Sequence, residues 1–187
     1  MKKILCFFLI VCNATLYAQE RKVIPIVSNE VHSLNGGLRS QFGGRSRVTI
    51  PVEIPPNTIG ICYTVQTHKA GEAAEKNLDL VLALGTLIYT GNVELAEAVD
   101  KIDIPESLQT IDVYLLPSTN DEQKFLNKLD GQWRSFDVGN RIACKRCKVI
   151  VECNKTNRSQ FVFLGIRNPS SLDAVDVIVN CVAVVQK

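Results

Sequence analysis

Residues 47–54 read Arg47-Val48-Thr49-Ile50-Pro51-Val52-Glu53-Ile54. Apolar side chains stand at every second position, with Arg47, Thr49, Pro51 and Glu53 between them. Successive side chains of a strand point to opposite faces, so this alternation predicts a half-buried β-strand. Pro51 has no N–H for a sheet ladder, which places the strand at an edge or turns that position outward. Pro55-Pro56-Asn57 ends it.

The same rhythm continues downstream. Ile61–Thr67 puts Ile61, Tyr63 and Val65 on one face. Thr110–Leu116 does so with Ile111, Val113 and Leu115, and Pro117 stops it. Cys147–Cys153 aligns Cys147, Val149, Val151 and Cys153, and Ala174–Val185 aligns Val175, Val177, Val179 and Cys181. Gln160–Arg167 is apolar on both faces, the mark of a central strand. A further short strand is predicted at Lys22–Val27. Turn residues separate these segments, and no strand–helix–strand alternation occurs. The fold class is therefore mainly β, an antiparallel, jelly-roll-like β-sandwich.

Two stretches depart from that period. In residues 78–104, Leu78, Val81, Leu82, Leu84, Leu87 and Ile88, then Val93, Ala96, Val99 and Ile102, recur at helical spacing around a turn at residues 89–92. This predicts an inserted helical pair that caps an open end of the sandwich or meets a partner. Its first half also fits a buried strand. Thr119-Asn120-Asp121-Glu122 has the pattern of a capping box, opening a short helix over about 120–129.

Upstream, residues 19–45 read as a lead-in, with loops at Asn35-Gly36-Gly37 and Gly43-Gly44. Residues 1–18 carry Lys2 and Lys3, a nine-residue apolar run from Ile4 to Cys12, and Ala18 before Gln19. That order of parts is a secretory signal peptide, and its apolar run is about half the ~20 residues a membrane span needs. Val11, not a small residue, precedes Cys12, which disfavours a lipoprotein signal. Export would leave 169 of the 187 residues, with residues 46–187 forming the sandwich domain. The expected location is the periplasm, the outer-membrane surface or the medium.

Removal of Lys2 and Lys3 brings the 21 basic residues level with the 19 acidic ones. A net charge near zero gives no general reason to expect nucleic acid as a partner. The charge is unevenly placed, however. Glu72–Glu106 holds eight acids and two lysines, and Arg134–Arg158 holds seven bases and two acids. Such blocks are either two solvated faces or patches that steer a partner or a second copy.

Three segments together resemble an uncharacterised family of exported bacterial β-sandwich domains, some of them joined to tetratricopeptide repeats. They are Arg47–Thr58 leading into Cys62-Tyr63-Thr64-Val65, then Ile111–Leu116, then Phe163–Ser171 with the last strand. Their order is distantly similar to pre-peptidase C-terminal-type domains. The resemblance spans roughly residues 46–186 and implies a non-catalytic sandwich beside other modules. The helical stretch at 78–104 departs from the pre-peptidase pattern. Asp112, Asp173 and Asp176 are not spaced as a calcium loop, so no metal ligand and no cofactor is carried over.

Five cysteines lie beyond the signal: Cys62, Cys144, Cys147, Cys153 and Cys181. Cys144-Lys145-Arg146-Cys147 can be a structural disulfide, two free thiols, or a redox or metal pair. Cys153 and Cys181 lie on apolar strand faces, and can bridge if their strands are neighbours or pack as thiols. Cys62, on the more polar face of its strand, is the candidate unpaired thiol.

Catalysis has little footing: Gly-x-Ser-x-Gly, His-Glu-x-x-His and phosphate-loop patterns are missing from the sequence. Trp133, with Arg134 and Arg141 beside it, is the candidate binding site. The indole can stack on a sugar while the guanidiniums hold an anion, or it can simply cap the sandwich edge. The expected function is a non-enzymatic binding or assembly module of the cell envelope, with an unknown envelope protein or a glycan as partner. A glycan- or lipid-ligand domain and a thiol-disulfide protein are the alternatives.

Overall fold

A computed structural model describes residues 21–38, 42–71, 83–85, 94–104, 106–107, 109–154 and 160–186. The expected signal peptide, residues 1–18, and much of the 78–104 stretch lie outside the described residues.

Among the described residues, eight strands form two antiparallel four-stranded sheets, packed face to face as a β-sandwich. They are β1 (Arg21–Leu34), β2 (Arg47–Ile54), β3 (Thr58–Lys69), β4 (Ile111–Leu116), β5 (Arg141–Cys144), β6 (Cys147–Glu152), β7 (Gln160–Arg167) and β8 (Val175–Gln186). One sheet runs β1-β8-β3-β6 and the other β2-β7-β4-β5. The alternating residues named above meet between the sheets. Ile50, Val52, Ile54, Ile61, Tyr63, Val65, Val113, Leu164, Val177 and Val179 belong to one buried cluster. β2 is an edge strand, as Pro51 demands, and β7 lies centrally between β2 and β4.

β1 corrects the expected lead-in. It pairs with β8 from Arg21↔Gln186 to Leu34↔Val175, so the sandwich begins at least 25 residues before the expected boundary at 46. Register shifts between Pro25 and Val27, and again between Val27 and Glu30, break its alternation. A bulge inserts an unpaired residue and flips the sequence pattern, so a 14-residue strand reads as a short one. β5 went unforeseen for a related reason: it has four residues, none of them buried, and so no pattern.

Both outer faces carry helical covers. Helix α1 (Leu95–Asp100) and the residues after it lay Ala98, Val99, Ile102 and Ile104, with Leu84, over Cys62 and Val182. The described part of the insertion thus covers a sheet face, where an open end was expected. Gly60 permits the approach, because a Cβ there would lie 2.6 Å from Leu95 Cδ2. Helix α2 (Thr119–Leu126) covers the other sheet with Phe125. Its N-cap is Ser118, one residue earlier than the capping-box reading. The Ser118 hydroxyl accepts from the Asp121 N–H and donates to the Asp121 carboxylate.

Candidate functional site

Three places follow from the residues singled out above and from the sandwich edges. The first is Trp133. Its indole meets Tyr114 at 4.6 Å and Phe125 at 5.4 Å, both edge to face. Tyr114 and Phe125 are themselves 5.7 Å apart. Edge-to-face contacts suit the ring quadrupoles, and here they tie α2 and the following turn to β4. The ring is half-buried, and its Nε1 is shielded without a partner among the described residues. The indole thus packs on the outer face of β4, beside α2.

The flanking cations are occupied within the chain. The Arg134 N–H and guanidinium both donate to the buried Asp121 carboxylate. The Arg141 guanidinium donates to the carbonyls of Val138 and Asn140. Ser118, through its hydroxyl, and then Arg134 hold the Asp121 carboxyl below its ordinary value, against the opposing pull of burial.

Two further ion pairs frame this shelf, and neither was legible in the sequence. Arg47 is buried under α2, although strand alternation assigned it to water. It donates to the Phe125 carbonyl at 2.8 Å and to both Asp130 oxygens at 2.8 and 2.9 Å. Asp112, buried in β4, accepts from Arg167 at 2.6 and 2.9 Å and from the Ala143 N–H at 2.9 Å. It fastens β7 and β5 to β4. Among the described residues, no three His, Cys, Asp or Glu side chains gather into a metal site.

The second place is the cysteine set. Cys144 and Cys147 are at disulfide distance, with Cα atoms 5.5 Å apart. They close the turn where the chain crosses from one sheet (β5) to the other (β6). Cys144 ends one strand and Cys147 begins the next, so neither has the helix N-terminus that activates a redox thiol. The Cys153–Cys181 bridge does not form: β3 lies between β6 and β8, and both residues are free. Cys62 is also free, and it is buried beneath α1 where a polar face was expected. Burial pushes its thiol up to about 12 and raises Cys181 as well.

The third place is the flank where β1 and β2, one edge strand from each sheet, run side by side. Ile24, Pro25, Ile26, Pro51, Pro55, Pro56 and Phe161 line an open groove of about 550 Å³ there, with Glu53 as its charged side chain. Phe161 pairs across the ladder with Glu53 and is 56% exposed. Pro25 and Pro51 have no N–H, so a ligand is not added by backbone pairing at those positions. Recognition must run through side chains: an apolar surface with one carboxylate to fix orientation, a pattern common in binding clefts.

The chain matches no family model and no curated protein. The groove was missed in the sequence because its residues come from three strands and a turn. The four prolines were visible, but each has an ordinary reading as strand punctuation. Among the described residues, no helix is long and apolar enough to cross a membrane.

Proposed function

We propose that the chain is an exported, non-enzymatic binding or assembly module of the bacterial cell envelope, and that the β1–β2 groove receives its partner. The groove carries this reading. It is concave and mostly apolar, and it sets the 56% exposed Phe161 beside the Glu53 carboxylate. The signal-like residues 1–18 support export. Resemblance of the strand segments to exported sandwich domains supports a role beside other envelope components. The packing of Trp133 against Tyr114 and Phe125 weighs against a sugar platform at that shelf.

A photo-crosslinking amino acid at position 161 tests the site in producing cells, with position 123 on the exposed side of α2 as control. Position 161 is expected to give a discrete adduct that Glu53→Lys weakens, and position 123 is expected to give none. Identical adducts from both positions, or none from 161, would overturn the assignment. N-terminal sequencing of the fractionated protein is expected to begin at Gln19. A mature chain that retains Met1 in the cytosol removes the export half of the proposal.

A further inference from the structure

The other flank of the sandwich, built from β5 and β6, is opposite the groove. Its surface has two halves of opposite sign. One half comes from residues 134–146 and exposes Arg134, Arg141, Lys145 and Arg146 against the single acid Asp137. Interleaved with these bases are Phe136, Val138 and Ile142, exposed by 45%, 66% and 59%. Three of the large exposed apolar side chains thus fall within seven residues. The other half comes from α1 and the segment after it, and exposes Glu97, Asp100, Asp103 and Glu106.

The halves adjoin. The Ser107 N–H donates to the Lys145 carbonyl at 2.8 Å. The Lys148 ammonium donates to the carbonyls of Asp100 and Ile102 at 2.7 and 2.8 Å. Glu106 crosses the border, 3.4 Å from Lys145 and 3.9 Å from Arg146, and Glu97 pairs with Lys101 on its own helix. Asp100 and Asp103 have no ion pair among the described residues. The described parts of the two charge blocks, residues 97–106 and 134–146, therefore adjoin as one dipolar surface.

We propose that this flank is a self-association surface: two copies of the chain pair about a two-fold axis, the acidic half of each lying on the basic half of the other. Rotation by 180° about an axis through the border places acid over base twice, so a surface divided in this way is complementary to itself. A purely anionic partner, whether lipid or protein, would meet Asp100, Asp103 and Glu106 beside the bases it seeks. The matching partner carries both signs in the reverse order, and this chain presents one. Exposed ion pairs contribute little each and mainly set register. Covering Phe136, Val138 and Ile142 supplies the water-excluding contact.

Sedimentation velocity of the full mature chain tests the pairing. The wild-type protein is expected to dimerise at low salt and to dissociate near 1 M salt, where the Debye length shrinks to about 3 Å. Arg141→Glu, Lys145→Glu and Arg146→Glu together leave Arg134 as the one base of that half and make both halves acidic. Asp100→Lys, Asp103→Lys and Glu106→Lys together leave Glu97 as the one acid of the other and make both basic. Each variant alone is expected to be monomeric with an unchanged far-ultraviolet spectrum. An equimolar mixture is expected to restore the dimer, because every contact is then attractive. A wild-type chain that stays monomeric at low salt overturns the proposal, as does a dimer that survives both reversals or a mixture that fails to associate. So does a monomer that binds anionic vesicles through the basic half. Crosslinking from position 161 reads the opposite flank, so the two proposals fail separately.

Discussion

Replacing Asp112 by alanine removes the acceptor for three hydrogen bonds, two from Arg167 and one from the Ala143 N–H. Asp112 is 2% exposed, so its partners lose an acceptor that water does not readily replace. A hydrogen bond to a charged group is worth about 1.5–3 kcal/mol, and breaking a fully buried pair costs about 3–5 kcal/mol. The Arg167 side chain is 30% exposed and can turn its guanidinium to solvent, which lowers the cost. The expected loss is therefore about 2–4 kcal/mol. For a domain of this size it corresponds to a fall in Tm of roughly 5–12 °C. Asp112→Asn keeps an oxygen for the Ala143 N–H but loses the ion pair, and should cost about half as much. Urea denaturation is the assay, with the midpoint shifting and the slope unchanged. Combined with Arg167→Met, the alanine variant should show coupling of at least about 1 kcal/mol in a double-mutant cycle. An Asp112→Ala protein within about 0.5 kcal/mol of wild type would refute the idea that this carboxylate fastens β5 and β7 to β4.

Two other expectations rest on different chemistry. Without reductant, the denatured chain from Gln19 onward should titrate as three thiols, rising to five after reduction. In the native protein Cys62 should stay inert at pH 8, because a thiol near 12 is only about one part in 10⁴ thiolate there; five thiols without reductant would contradict the Cys144–Cys147 link. Asp121 has a lower pKa folded than unfolded, so the unfolded state binds more protons in acid. Its contribution is present above the ordinary carboxylate range and is lost as pH falls through the lowered folded value. Asp121→Asn should therefore flatten the acid limb of the stability–pH curve, whereas parallel curves for the two proteins would exclude a role for this carboxyl.

Much of the sandwich was legible because period-two alternation is a local property. Val48 to Ile54, Ile61 to Val65, Ile111 to Leu115 and Val175 to Cys181 each declare an inward face without reference to any other strand. Pro51 announced an edge, and the two-sided apolar run of Gln160–Arg167 announced a centre. β1 was legible only over Lys22–Val27 because its bulges break the alternation, and β5 stayed hidden because neither of its faces is buried.

The candidate sites were less legible. The sequence placed Trp133 beside two arginines, but nothing local says that Tyr114 and Phe125 would take its ring, or that Asp121 would take Arg134. The groove and the dipolar flank have no sequence motif, since each gathers residues from segments far apart in the chain. What the sequence determined by itself was therefore which side chains face inward, because a strand's two faces are fixed by covalent geometry. What only the tertiary structure decided was strand order, and with it everything that depends on neighbours. β3 separates Cys153 from Cys181, α2 buries Arg47, and Asp112 finds Arg167, because those outcomes depend on which distant segments compete to cover the same surface.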